Sequence, residues 1–368
     1  MKNLKNIAIL SCALFVAQAQ AGNPERQGQA GAAQLTINGY ARTTGMGWAF
    51  GAGTTGVEAS FLNPAGIDRG SNTTELVFAR SQWLVGSGIG INNFGFTQKM
   101  GEDHDKGTFA VSVMQFGIKP IELTTENNPD GGIGTYRVNM TNIGLGYSKS
   151  FSRNISAGMM ARMVNEGIPD ARAMGVSLDA GVQYSTTMKP DKNGLKKNDL
   201  KFGISVKNIG PDMNFQGDGL SYKVIMGSQN GDLTKTMEAK TQKVKLPSML
   251  NISGSYDIRL DKSKEVYNNR LTLAFAFTNH AFSANQTTLA AEYAYKNYFC
   301  LRAGFVMQDG TFDAENRTSA FTGPMGGLSY EFHSDGGNVV SLDYSYRASN
   351  PFNGTHSFGL RIGLGSDE

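Results

Sequence analysis

One property constrains this chain above all others. From Glu75 almost to its end it alternates apolar and polar residues with a period of two. Val176, Leu178, Ala180, Val182 and Tyr184 interleave with Ser177, Asp179, Gly181 and Gln183. Leu271, Leu273, Phe275 and Phe277 interleave with Thr272, Ala274, Ala276 and Thr278. The last run sets Phe358, Leu360, Ile362 and Leu364 against Gly359, Arg361 and Gly363. Successive side chains of a strand point to opposite faces, so the pattern predicts strands with one apolar face and one small, polar or charged face. There are about 14 such runs of membrane-strand length, near 74–84, 88–99, 107–116, 136–150, 154–165, 172–185, 200–208, 248–259, 269–278, 287–296, 298–308, 322–332, 338–347 and 355–364. Within 136–150 the parity breaks: Val138 and Met140 fall on one face and Ile143, Leu145 and Tyr147 on the other, which predicts a β-bulge.

The fold class this implies is all-β, an antiparallel up-and-down transmembrane β-barrel of about 14 strands with a short N-terminal hatch or plug. A soluble sandwich alternates too, but three features favour the barrel. The start reads as a secretory signal: Lys2 and Lys5, an apolar stretch Ile7 to Val16, and Ala19-Gln20-Ala21 as a small-x-small cleavage site. The polar face carries opposed charges, among them Asp179, Asp257, Arg259, Glu292, Arg302, Glu331, Asp343, Arg347 and Arg361, which suits a wet or ion-paired interior. The strands also run to the C-terminus, where the final amphipathic strand suits outer-membrane insertion. Connections split into long ones on one side (117–135, 209–247, 309–321) and mostly short ones on the other, with 85–87 and 186–199 against the trend. An extra strand near 221–245 would alter this topology. The organisation read from the chain is 1–21 signal peptide, 22–40 flexible periplasmic leader, 41–73 hatch and 74–368 barrel. Cys12 opens a lipoprotein alternative, set in a poor lipobox; after cleavage at Ala21 only Cys300 remains, so no intrachain disulfide is expected.

Catalytic chemistry finds little support. The four histidines, His104, His280, His333 and His356, fall in loops or at strand ends without metal-ligand spacing. No G-x-S-x-G elbow occurs, and the run Gly86-Ser87-Gly88-Ile89-Gly90 lacks the lysine and helix of a phosphate loop. Asp179 and Glu292 form a conceivable acid/base pair, but charges facing a narrow interior are expected to pair with lumen arginines. No catalytic, cofactor-binding or metal site is assigned, and a net charge of +3 does not point to nucleic acid.

The stretch Ala41 to Asp68 is the least strand-like part of the chain. Its signature, Gly45-Met46-Gly47-x-Ala49, Glu58-Ala59 and Asn63-Pro64-Ala65-Gly66, resembles the N-terminal signature of the PorV/PorQ family, itself similar to FadL-type outer-membrane barrels. Asp170-Ala171-Arg172 leading into Gly175 to Tyr184, and Phe202 to Gly210, look like that family's central strands. The resemblance implies a 14-stranded outer-membrane barrel of the type IX secretion system of Bacteroidota, a non-enzymatic shuttle handing cargo to a sortase complex. It departs from the shuttle's own pattern in having Pro64-Ala65-Gly66 after Asn63.

Two functions are therefore expected. In the first, long extracellular loops bind secreted cargo or sortase partners, with Met213, Phe215, Leu220, Ile225 and Met226 as exposed apolar candidates. Outer-membrane lipids and lipopolysaccharide surround such a barrel. In the second, the chain is a FadL-like channel for hydrophobic small molecules and 41–66 is a movable hatch. The polar lumen read from the sequence counts against this. An outer-membrane enzyme is a third option without a candidate cluster. Gly45, Gly47 and Gly51 read as places where backbone passes close to the wall, and Pro64 as a rigid stop.

Overall fold

The structure, a computed structural model, describes residues 24–101, 105–188, 198–227, 233–261, 268–296, 298–313, 315, 317–334 and 337–366. The signal-peptide reading of 1–21, Cys12, His104 and most of the basic connection 186–199 lie outside the described residues.

Fourteen antiparallel strands close into a barrel: β1 (Asn72–Trp83), β2 (Ile89–Lys99), β3 (Thr108–Ile118), β4 (Asn139–Ser150), β5 (Ile155–Ile168), β6 (Ala171–Thr186), β7 (Leu200–Ile209), β8 (Met249–Arg259), β9 (Asn269–His280), β10 (Gln286–Tyr295), β11 (Phe299–Gln308), β12 (Phe321–Ser334), β13 (Asn338–Ser349) and β14 (Thr355–Ser366). Each strand pairs with its neighbours in sequence, and β14 returns to β1, so no edge of the wall is left open. The alternation sets the orientation. Phe78, Leu145, Val176, Leu178, Ile204, Leu273, Leu289, Leu301, Leu342 and Phe358 stand exposed on the outside, while Ser177, Asp179, Gln183, Ser205, Glu292, Arg302, Ser329 and Ser341 are buried inside. A soluble sandwich would do the reverse. Fully burying one such apolar side chain is worth roughly 1.5–3 kcal/mol, a gain that lipid supplies here.

The expected bulge within 136–150 is not what the pairing shows. From Asn139 to Ser150 the register of β4 with β3 and β5 runs without a shift. Met140 breaks the apparent parity because it faces inward, packed against Ile91, Met114 and Phe116. The lumen is thus apolar near the long-loop end and polar below it, in place of the mainly polar lumen expected from the sequence. Register shifts occur instead between Leu178 and Ala180 on β6 and between Phe321 and Met325 on β12. The segment 221–245 adds no strand to the wall: Ser221–Met226 pairs with Leu233–Glu238 in a separate hairpin, and Asn214–Gln216 lies beside β6.

Residues 41–71 fill the lumen as short helical turns, Ala41–Thr44, Gly47–Ala52, Gly56–Glu58, Ala59–Leu62 and Pro64–Arg69. Met46, Trp48, Ala49, Phe50, Val57, Phe61 and Leu62 form one core with the wall residues Val77, Ala79, Met249, Ala274, Ala276 and Ala290. Residues 24–38, part of the stretch 22–40 read from the sequence as a flexible periplasmic leader, make contacts with the barrel. They lie at the long-loop end, where Gly31 N donates to Lys245 O (2.9 Å) and Ala32 and Leu35 pack with Val164, Ala173, Met213 and Leu246.

Candidate functional site

The candidate site is the plugged lumen, and the Asn63-Pro64-Ala65-Gly66 signature holds one side of it. Asn63 Nδ2 donates to Val182 O (3.2 Å) and Ile204 O (3.5 Å), while its Oδ1 accepts from Ala65 N (3.2 Å) and caps the turn that follows. Pro64 occupies the first turn of that element, where a missing N–H costs nothing. Ala65 O accepts from Ser148 Oγ (3.0 Å). Gly66 has no room for a side chain: a Cβ there would lie 2.1 Å from Thr54 O. The wall is trimmed to match, since a Cβ at Gly158 would meet Pro64 O at 2.3 Å and one at Gly181 would meet Asn63 Oδ1 at 2.0 Å.

Two charged and one hydroxyl side chain of the wall bind the carbonyls just before this signature. Arg162 donates to Ser60 O, Lys207 Nζ to Phe61 O and Ser205 Oγ to Leu62 O (3.0 Å). Lys207 also sits over the rings of Phe61 (3.8 Å) and Trp48 (5.0 Å). Asp179, wholly buried, joins the parts: one oxygen takes Arg162 Nε (2.8 Å) and the other takes Asn208 N (2.8 Å) at the β6–β7 register shift. At the short-turn end Arg69 donates to Ser156 Oγ (2.7 Å), Ser185 Oγ (2.9 Å) and Asn154 O (2.8 Å), and Asp68 accepts from Thr108 Oγ1 (2.6 Å) and Ser150 N (2.7 Å).

The opposite side is held more by apolar contact. Gly45 packs back to back with Gly327, where a Cβ would lie 3.2 Å from its Cα. Gly47 adopts φ +56°, and the Met325 methyl would meet its Cβ at 2.9 Å. Gly51 faces Asn251 and Ser253 across similar gaps, and its carbonyl accepts from Gln183 Nε2 (2.9 Å). Lower down, Arg42 pairs with Glu331 (3.1 Å), which also holds Arg361. Glu292 pairs with Arg302 (2.7 Å) and Arg270 (3.0 Å). Asp179 and Glu292 thus belong to ion pairs in different parts of the wall. Burial lowers the Arg42 pKa, but Glu331, with Glu292 and Asp343, raises it further, so the guanidinium stays charged. Burial, with the Asp343 charge, pushes Glu58 up to about 7 against the pull of Arg42 and Arg361. Burial likewise pushes Tyr40 up to about 12.

Space remains above the plug. One cavity, of about 40 Å³, is enclosed by Asn38, Trp48, Trp83, Met325, Arg347 and Thr355, among others. Another, of about 280 Å³, lies at the mouth against Arg26, Ile209, Lys245, Leu246 and Phe282. Of the loop candidates, Met213 is buried and Phe215 packs against the same cluster, Leu220 is half-buried, and Ile225 (67% exposed) and Met226 (41%) are free. Sequence reasoning left out Arg162, Lys207 and Ser205. Their only sequence signal is a polar or charged residue on the inward parity of a strand.

No protein-family model and no curated protein matches the chain. Among solved structures it is similar in fold to the Pseudomonas putida toluene transporter TodX, with a TM-score of 0.55 and 11% identity over 89% of this chain and 97% of that one. The deltaS2S3 mutant of the TodX monoaromatic hydrocarbon channel gives a TM-score of 0.52 and 12% identity over 89% and 98%.

Proposed function

We propose that the chain is an outer-membrane barrel of a Gram-negative bacterium that passes small hydrophobic molecules through its plugged lumen. The observation that carries this reading is the inward-facing apolar cluster at the long-loop end, Ile91, Met114 and Phe116 with Ile37, Trp83, Ile89 and Met140 packed against them. A polar-only lumen would give an apolar solute nothing to gain on leaving water. The likeness to TodX supports the same architecture at the level of fold. Uptake of radiolabelled toluene by cells with and without the chain tests the proposal. Faster uptake is expected with it, and identical uptake in the deletion strain removes the reading.

A second reading, docking of secreted cargo or sortase partners in type IX secretion, has one observation in its favour. The hairpin Ser221–Met226/Leu233–Glu238 stands off the wall and exposes Tyr222, Met226, Leu233 and Met237 on one face. Pull-down from outer membranes with and without residues 221–238 tests it. Recovery of the same proteins from both would count against docking through this hairpin.

A further inference from the structure

The lumen cations follow a rule, and one of them departs from it. Arg42 and Arg361 pair with Glu331, Arg270 and Arg302 with Glu292, Arg162 with Asp179, and Lys201 with Asp257. Lys207 and Arg69 are held by backbone carbonyls. Arg347 points into the same lumen from β13, yet no hydrogen bond or ion pair joins it to another described residue, and its Nε is buried without a partner. Its position is set by packing: the guanidinium lies 3.7 Å from the centre of the Phe321 ring, which meets Trp83 edge-on at 5.1 Å. One face of the guanidinium is occupied by the ring. The Arg347 side chain also lines the small cavity above the plug. Arg347 as a whole is half-buried; a cation held partly out of water without a counter-charge is unfavourable, and the fork of an arginine matches a carboxylate through two parallel hydrogen bonds.

We propose that Arg347 determines specificity in this cavity and that the molecule bound there is an aromatic carboxylate, its carboxylate on Arg347 and its ring against Trp48 and Trp83. This rests on the channel reading above and narrows the kind of molecule admitted. The size of the space adds a condition. A water needs about 10–15 Å³ of such volume, so a cavity of about 40 Å³ takes a head group and not a whole ring. The ring gains its place by displacing Met325, whose thioether chain is flexible, or the Thr36 to Asn38 stretch that closes the cavity toward the mouth.

The chain's two tryptophans, Trp48 and Trp83, both line this cavity, so intrinsic emission reads its occupancy directly. The test titrates the full mature protein in detergent with benzoate, benzamide and toluene, which share a ring and differ in the head. Saturable change is expected with benzoate at a Kd at least tenfold below those of the two neutral probes. R347Q is expected to bind toluene as the wild type does and to lose the preference for benzoate, while R347K keeps part of it. Toluene binding by R347Q serves as its folding control, and the comparison of benzoate with benzamide in the wild type needs no variant. Equal affinity for all three probes overturns the anionic head and leaves the hydrophobic channel standing. A benzoate preference that survives in R347Q overturns the role of Arg347. Silence with every probe overturns the inference, and the uptake assay then decides the channel reading separately.

Discussion

Asp179→Asn is the substitution that bears most directly on how firmly the plug is held. The side chain keeps its shape and one hydrogen-bonding oxygen but loses the charge that Arg162 meets at 2.8 Å, in a site where the carboxylate is wholly buried and the guanidinium nearly so. Breaking a buried pair by removing one partner costs about 3–5 kcal/mol, since the other charge stays desolvated. The wall itself has little to lose, because β5, β6 and β7 keep their backbone ladder. The cost therefore falls on what Arg162 and Lys207 hold, the carbonyls of Ser60 and Phe61. The plug should loosen at a lower urea concentration than the barrel. Emission from Trp48, which sits in the plug, follows the first transition, and heat-modifiable migration in gel electrophoresis follows the second. Single-channel recording in planar bilayers should show larger or more frequent openings for the variant. A plug transition within about 1 kcal/mol of wild type, with unchanged conductance, would refute the idea that this buried pair secures the plug.

Other perturbations separate the remaining parts. Gly66→Ala places a methyl 2.1 Å from Thr54 O and should destabilise the plug transition by about 1–3 kcal/mol or more, whereas Gly86→Ala, with open space but φ +106°, should leave the plug unaffected. The pH dependence of the plug should follow Glu58, which faces Asp343, Glu75, Arg42 and Arg361. Its folded pKa of about 7 is above the ordinary 4.5, so its contribution is full below 4.5 and is lost as pH rises through 7. Plug stability by urea titration should fall by up to about 3 kcal/mol over that window, and Glu58→Gln should flatten the profile. Deleting residues 221–238 should leave both transitions in place, since the hairpin's side chains are largely exposed.

Much of the barrel was legible because burial on one face forces a period of two. The fourteen runs fall within a few residues of the observed strands, and the charges assigned inward are inward. Met140 misled because period-two reading assumes one polarity per face along a whole strand, and this lumen changes polarity along its axis. The segment 24–38 was opaque for a different reason. It is small and polar, and it is held at the mouth through Ala32, Leu35 and one backbone bridge to Lys245, partners roughly 130 to 210 positions away, which no local pattern encodes. Parity could say that Arg162 and Asp179 face inward, but not that they face each other or that Arg162 reaches Ser60 O of the plug.

The two sides of the plug differ in what a displacement would break. Moving Ser60 to Arg69 away from β4–β7 strips bonds donated by Arg162, Lys207 and Ser205 of the wall and by Asn63 and Arg69 of the plug, several of them charged. Moving Gly45 to Trp48 away from β10–β13 separates glycine backbone from Gly327 and the Met325 thioether, and the first ion pair met is that of Arg42 lower down. Drawing an apolar pair of atoms slightly apart costs about a tenth or two of a kcal/mol, against about 1.5–3 kcal/mol for a hydrogen bond to a charged group. On the channel reading proposed above, a solute would meet least resistance between the Gly47 turn and β10–β13, along the wall that carries Val306, Met325 and Arg347. In that reading the plug would hinge on its Asn63-Pro64-Ala65-Gly66 side and give way at Gly45 and Gly47, so a cross-link between Gly45 and Gly327 positions should block uptake while one on the Asn63 side should not.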